Sequence, residues 1–170
     1  MSPLISMEKH SMDELLQILK KNALETPENI ARMLNVSVED VRARIADYEK
    51  RGIIRGYQAI VNEDVLDMDL VTAVIEVKVS PEREGGFNRI AERISKFPEV
   101  SSIYLVSGAF DLLLFVTGRD LKDVAFFVSE KLATISGVGG TATHFMLKTY
   151  KHHGVLMESQ DEHERLKITP

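Results

Sequence analysis

The hydrophobic residues of the first third of the chain recur three and four positions apart. This is the spacing of α-helices that bury one face. Three segments show it: residues 12–23, 26–35 and 37–52. Thr26 and Ser37 stand where N-caps would satisfy the first N–H groups of the second and third helices, and Gly52 stands where the third would end. Three short helices with a tight turn between the last two predict a helix-turn-helix, although a generic three-helix bundle has the same pattern.

The third predicted helix has one apolar face and one polar strip. Val38, Val41, Ile45 and Tyr48 fall on the apolar face, and Ala43 points away from it between Arg42 and Arg44. A small outward residue between two cationic arms suits a helix in the DNA major groove, with the arms reaching phosphates. The residues predicted to contact DNA are Ser37, Val38, Glu39, Arg42, Ala43, Arg44 and Arg55.

The acidic first turn of this helix has two interpretations. Glu39 and Asp40 either complement the positive end of the helix dipole, or Glu39 accepts from a cytosine amino group. Arg42, Arg44 and Arg55 would bind backbone phosphate, while Val38, Glu39 and Ala43 would lie nearest the base edges.

The pattern changes after Gly52. The stretch "IIRGYQAIV" alternates enough to predict one strand or two short strands kinked at Gly56. From Leu70 the order is strand, helix, strand, strand, helix, strand, which is the split βαβ of the ferredoxin-like fold. Pro98 is expected to end the first of these helices, and Asp120 to cap the second. The sequence predicts an α+β protein: a winged or simple helix-turn-helix, then a ferredoxin-like βαββαβ domain with an antiparallel sheet.

The domain boundaries follow these changes in pattern. Residues 1–60 form the helix-turn-helix domain, 61–69 an acidic linker, 70–151 the ferredoxin-like domain and 152–170 a polar tail, expected to be frayed or helical. Both helices of the second domain would cover one sheet face, and no remaining segment can cover the other. An uncovered sheet face predicts at least a dimer.

One carboxylate stands at the start of an apolar strand. Asp111 follows the small residues of "SGAF" and precedes "LLLFVTG". A carboxylate beside such a run needs a partner. Either backbone N–H groups of its own turn hold it, with Gly108 present to permit an unusual φ, or it meets a ligand.

Composition and charge narrow the kinds of protein that this chain can be. The net charge of −5 comes wholly from residues 61–170, because residues 1–60 hold nine basic and nine acidic side chains. The interval 42–55 still carries five basic residues against two acidic ones, a local strip suited to phosphate. Cysteine is absent, and neither a signal peptide nor a membrane-length apolar run is found, so a cytoplasmic protein is expected.

The sequence gives little support for a catalytic site or a metal site. Neither a nucleophile triad nor a phosphate-binding glycine loop is present, so no enzyme and no cofactor are predicted. His152 and His153 are neighbours, and on one strand they would point to opposite faces, unable to share an ion without a turn. His144 is expected to be a half-buried polar residue, and no metal site is predicted.

Three motifs in order resemble the Lrp/AsnC (feast/famine) family of bacterial and archaeal transcriptional regulators. They are "NIARMLNVSVEDVRARIADYEKRGIIRGYQAIVN" with its "GIIRGY" stretch, "VSGAFDLLLFVTGRDL" with a G-x-(Tyr/Phe)-D loop, and "EKLATISGVGGTATHFMLKTYK". The resemblance spans about residues 12–151.

The resemblance implies a homodimer through the ferredoxin-like domains, able to assemble into tetramers or octamers. It implies a small effector, usually an amino acid, bound between dimers near Gly108, Ala109, Phe110 and Asp111. We therefore expect a sequence-specific regulator that binds double-stranded DNA. The alternative is a small-molecule-sensing module that acts through protein partners without DNA.

Overall fold

The computed structural model describes residues 12–66, 68, 70–80 and 86–157. The chain divides between Ala59 and Ile60 into two compact units. They are called here the helical unit and the sheet unit. Within the described residues, no helix is long and apolar enough to cross a membrane.

The helical unit contains three helices: α1 (Glu14–Lys21), α2 (Pro27–Leu34) and α3 (Val38–Lys50). Their apolar faces meet in one core, built on Leu15, Leu19, Ile30, Ala31 and Val41. Val38, Ile45 and Tyr48 of α3 are half-buried against it, as their spacing predicts.

Local hydrogen bonds cap the starts of α2 and α3. The Thr26 hydroxyl accepts from the Asn29 N–H at 3.2 Å, and the Ser37 hydroxyl accepts from the Asp40 N–H at 3.0 Å. Between the helices Asn35 adopts the left-handed conformation with φ 53°. Asparagine tolerates this conformation better than most residues, so the chain reverses within a few residues. The helix-turn-helix prediction is confirmed.

Helix α3 ends near Gly52, as predicted, but the segment after it differs from the predicted strand. Gly52 has φ +69°, and the Ile53 N–H donates to the Tyr48 carbonyl at 2.8 Å. The strand prediction for "IIRGYQAIV" is wrong: residues 53–62 form no strand, and the described part of the helical unit has no β-hairpin wing. A strand needs a hydrogen-bonded neighbour, and this segment pairs with no other strand of the described chain.

The sheet unit has the predicted βαββαβ order. Its elements are β1 (Val71–Val79), α4 (Gly86–Ile94), β2 (Val100–Leu105), β3 (Leu112–Gly118), α5 (Leu121–Phe126, continued by a π-helical turn over Phe127–Leu132) and β4 (Val138–Phe145). The strands lie in the order β2-β3-β1-β4 with every neighbour antiparallel. The ferredoxin-like prediction is confirmed.

The core of the sheet unit lies between the sheet and its two helices. Alternate residues of β1 and β3 point into it, among them Ile75, Val77 and Leu114, all fully buried. They pack against Ile90 of α4 and Phe127 of the π-helical turn. Both helices cover this face, and among the described residues of the opposite face Tyr104 is 53% exposed.

The first of these helices ends earlier than predicted, and the second changes its hydrogen bonding partway along. α4 stops at Ile94, and turns occupy residues 95–99, so Pro98 lies beyond the helix. α5 begins with Asp120 as its N-cap, as predicted, but then widens, and the Ala133 N–H donates to the Val128 carbonyl five residues back at 2.8 Å. This i→i+5 bonding places Phe127 and Leu132, five residues apart, in the same core.

The predicted frayed or helical tail is wrong for its first residues. After β4 the chain forms a small hairpin of β5 (Lys151–His152) and β6 (Val155–Leu156). His153 and Gly154 both have positive φ, 46° and 90°, which is the geometry of a two-residue type I′ turn. Residues 158–170 lie outside the described residues.

Candidate nucleic-acid interface and ligand loop

The outward strip of α3 carries most of the residues predicted to contact DNA. Glu39, Arg42 and Ala43 are exposed, and Ser37 is exposed as the helix cap. Val38 differs, because its side chain is half-buried against the core of the helical unit. The strip is therefore a mixed acidic and basic surface.

Arg42 makes an ion pair with α2. Its Nη2 donates to Glu28 Oε1 at 2.6 Å, and the two side chains remain 61% and 54% exposed. Glu28 lies in the first turn of α2, directly after Pro27. The pair thus links the start of α2 to the third helix across solvent.

Arg44 is directed toward α1. Its Nη2 donates to Asp13 Oδ2 at 2.8 Å, and its Nη1 lies 3.6 Å from Asp40 Oδ2. The Tyr48 hydroxyl also donates to Asp13, and Asp13 caps α1 by accepting from the Leu16 N–H at 2.9 Å. Arg44 was predicted to reach DNA phosphate, whereas here it holds α1 against α3.

This cluster shifts the ionisation of its members. Burial by itself would raise the pKa of Asp13, but the hydrogen bonds from Tyr48, the Leu16 N–H and Arg44 outweigh it and lower that pKa. The pKa of Arg44 is raised by its hydrogen bond to Asp13. Burial and the neighbouring Asp13 carboxylate raise the pKa of Tyr48. Asp13 is therefore a carboxylate, and Arg44 and Tyr48 are protonated, at neutral pH.

The segment after α3 folds back on the helix end. The Arg55 guanidinium lies where a side chain on Gly52 would stand, its Cζ 2.9 Å from that position. A cation at this place complements the negative end of the helix dipole. Tyr57 donates to Glu49 Oε1 at 3.0 Å, and the pKa of Tyr57 is raised by burial and by this carboxylate. Arg55 remains exposed on the surface of the helical unit.

The loop between β2 and β3 gives Asp111 a backbone partner. Asp111 Oδ2 accepts from the Val79 N–H at 2.7 Å, and the Asp111 N–H donates to the Val77 carbonyl at 3.0 Å. The pairing of β1 shifts register between Lys78 and Val79 on its β4 side. β3 begins only at Leu112, so the carboxylate extends the hydrogen bonding between β1 and β3 beyond the end of their ladder.

The rest of this loop is open to solvent. The Val106 N–H donates to the Asp111 carbonyl at 2.9 Å and closes the loop. Gly108 has φ +156° with open space around its Cα, Ala109 is exposed, and Phe110 is half-buried. The four predicted effector residues therefore lie together in one loop, and Asp111 attaches this loop to the C-terminal end of β1.

The histidines are arranged differently from the strand prediction. The chain turns at His153, so the two side chains do not point to opposite faces of a strand. The ring centroids of His152 and His153 lie 4.2 Å apart. His144 is exposed on β4, and its Nε2 lies 3.4 Å from Glu76 Oε1. Nowhere in the described ranges do three His, Cys, Asp or Glu side chains come together as a metal site requires.

Sequence reasoning did not identify the acidic partners Asp13 and Glu28. Asp13 directly precedes an apolar helical period, which is an N-cap signal that could have been read. Glu28 carries no comparable local signal, because its partner lies 14 residues away.

Comparison with known proteins agrees with this arrangement. The family profile described as "Lrp/AsnC ligand binding domain" matches residues 72–156. An uncharacterized HTH-type transcriptional regulator of Bacillus subtilis, YugG, is 43% identical over 92% of this chain and 95% of its own length. The HTH-type transcriptional regulator LrpA of Pyrococcus horikoshii is 33% identical over 81% of this chain and 94% of its own.

A solved structure shows the same architecture. A transcriptional regulator of Neisseria meningitidis, crystallised as its L-Met complex, is 27% identical with a TM-score of 0.64. The match covers 84% of this chain and 94% of that one.

Proposed function

Because the chain belongs to the Lrp/AsnC family of HTH-type transcriptional regulators, we propose that α3 of its helical unit is the helix that contacts double-stranded DNA. The observation that carries the proposal is the tight left-handed turn at Asn35, which joins α2 to α3 and leaves the outward strip of α3 exposed. In a helix-turn-helix the second helix enters the major groove while the first crosses the backbone.

The residues divide into four roles. Arg42 and Arg55 bind backbone phosphate, while Glu39 and Ala43 lie nearest the base edges. Ser37 and Val38 set the start and the depth of α3 through its cap and the core. The ion pairs of Arg44 support a positioning role between α1 and α3 in place of a phosphate contact.

The sheet unit supplies the dimer. Val74, Tyr104, Leu113 and Phe115 share its open face, because they stand opposite one another in the strand pairing. The Tyr104 and Phe115 rings meet edge to face with centroids 6.2 Å apart, and Tyr104 is 53% exposed. A contiguous apolar patch of this kind is typical of an association surface. A second copy of the chain covers it in a homodimer, which can assemble further into tetramers or octamers.

The loop of residues 106–111 supplies the effector site. The solved relative from Neisseria meningitidis is a complex with L-Met. In the present chain Gly108, Ala109 and Phe110 bind a small amino acid at the interface between dimers, while Asp111 holds the loop on β1. An effector that prefers one assembly shifts the population toward it and so changes the spacing of the DNA-binding helices.

Fluorescence anisotropy tests the proposal most directly. The purified protein is titrated onto labelled DNA from upstream of its own gene and onto scrambled DNA of equal length, at two salt concentrations, with and without an amino-acid pool. We expect tighter binding to the upstream DNA, a steep salt dependence and a change of affinity with the pool. Loss of one phosphate contact in Arg42→Ala should lower the salt slope by up to about 0.9.

The matched control is Lys96→Ala, which removes an exposed cation from the sheet unit. An unchanged slope in Arg42→Ala would contradict its phosphate role. Absence of binding to either DNA, followed by failure of a genome-wide selection for other sites, would favour a sensing module that acts through protein partners. The paired state of Arg42 and Arg44 keeps that alternative in view.

A further inference from the structure

The Arg42–Glu28 pair lies on the two helices that a helix-turn-helix presents to DNA. Glu28 is in the first turn of α2, and Arg42 projects from the outward strip of α3. Both side chains are more than half exposed, and their atoms meet at 2.6 Å. No packing requirement of the core brings them together, since neither belongs to the apolar cluster of the helical unit.

The place of this pair matches the expected course of a DNA strand. The first helix of the motif crosses the DNA backbone, and the positive end of a helix dipole attracts phosphate. The first turn of α2 is where such a phosphate would approach. In the present structure an anion already stands there, and it is the carboxylate of Glu28.

We propose that Glu28 is an intramolecular substitute for a DNA phosphate and that it lowers the affinity of the chain for every DNA sequence. In the free protein its carboxylate occupies Arg42, and a DNA phosphate must displace it. The inference rests on the proposed function of α3 as the DNA-contacting helix. Glu28 then opposes DNA binding, whereas the residues of the proposed function promote it.

The exchange has two physical consequences. Opening the pair reduces affinity for every DNA sequence by the same factor, because a phosphate carries no sequence information. The released Glu28 carboxylate also takes up a cation from solution, which offsets part of the counterion release on the DNA. Removing the carboxylate should therefore tighten binding and steepen its salt dependence without changing sequence preference.

A double-mutant cycle tests this inference. Glu28→Gln, Arg42→Ala and the double variant are titrated by anisotropy onto two probes, a random-sequence duplex and the upstream DNA, at several salt concentrations. We expect Glu28→Gln to bind both probes about two- to fivefold more tightly, the range that an exposed ion pair supports. In the Arg42→Ala background most of this gain should disappear. Glu92→Gln, which removes an exposed carboxylate from α4, is the control for net charge.

The outcomes separate this inference from the proposed function. Binding by the wild type with no gain in Glu28→Gln would overturn the role of Glu28 alone. An equal gain in both backgrounds would also overturn it, because simple repulsion of DNA does not depend on Arg42. A wild type that binds neither probe at low salt would overturn the DNA-binding function, and the inference with it. Thermal unfolding followed by circular dichroism checks that each variant is folded.

Discussion

Asp111 accepts a hydrogen bond from the N–H of Val79, 32 residues away in the sequence. Asp13 accepts one from Tyr48, 35 residues away. Each carboxylate is thus a long-range connection formed by a single side chain. Asp111 satisfies the N–H of Val79, a residue only 7% exposed, at a point where the strand pairing shifts register. A buried N–H without a partner costs about 1–3 kcal/mol, so the aspartate stabilises the fold whether or not a ligand binds nearby.

Replacing Asp111 separates hydrogen bonding from charge. Asp111→Ala should lower the free energy of unfolding by about 1–3 kcal/mol, because the Val79 N–H loses its acceptor. Asp111→Asn keeps an amide oxygen at the same place and should recover most of this loss. Urea unfolding followed by circular dichroism measures both, with Glu92→Ala as the control for loss of an exposed carboxylate. Equal losses in the two Asp111 variants would contradict the hydrogen-bond explanation.

At the scale of elements, the docking of α1 on α3 depends on one polar cluster. Asp13 caps α1 while it binds Arg44 and Tyr48 of α3, and its side chain is 32% exposed. Its lowered pKa means that the folded state favours the charged carboxylate. The resulting stability is present above the unfolded pKa of about 3.9 and is lost as pH falls through the folded value.

Asp13→Asn tests this pH dependence. Asparagine caps helices as well as aspartate does, so the substitution keeps the cap but removes the charge and the second oxygen, which accepts from Arg44 and Tyr48. At pH 7 the variant should be less stable than the wild type by about 1 kcal/mol, and the difference should shrink as the wild type is acidified below about pH 4. Urea unfolding at pH 7 and pH 3.5 measures the difference.

Asp47→Asn, which opens the exposed Asp47–Arg51 contact of α3, is the control and should stay within about 0.5 kcal/mol of the wild type. A difference between Asp13→Asn and wild type that stays constant with pH would argue against the carboxylate as its source.

At the scale of the whole molecule, the sheet unit has one face covered by helices and one open. The open face carries an aromatic pair and aliphatic residues, bordered by Lys78 and by the Glu76–His144 contact. Burial of apolar surface stabilises association by about 25 cal/mol per Å², so a charge placed in the patch opposes it.

Tyr104→Lys should convert the proposed dimer to monomer at micromolar concentration, because it places an ammonium group within the patch. Sedimentation velocity measures the change in mass. Phe126→Lys is the matched control: Phe126 is 61% exposed on α5, on the helical side of the sheet, and its variant should remain dimeric. A dimeric Tyr104→Lys variant would place the dimer contact elsewhere.

The sequence predicts features that depend on neighbours along the chain. The caps at Thr26 and Ser37, the stop at Gly52 and the βαββαβ order all follow from local hydrogen bonds and apolar periods, and all are found. The extended "IIRGYQAIV" segment was misinterpreted because alternation describes which face is apolar, not whether a partner strand exists. The interaction partners of Asp13, Arg44 and Asp111 depend on which elements meet in space, so no local sequence pattern predicts them.

The hairpin after β4 gives the sheet unit a further property. Asn62, near the start of this unit, donates from its side chain to the Met157 carbonyl at 2.7 Å. The last described residue, Met157, therefore lies beside the start of the unit. Such geometry is what circular permutation requires, since a short linker can join the two ends and new ends can be opened in an exposed loop. It also means that a fluorescent or affinity domain fused after residue 157 would stand beside the residue 62 end of the unit.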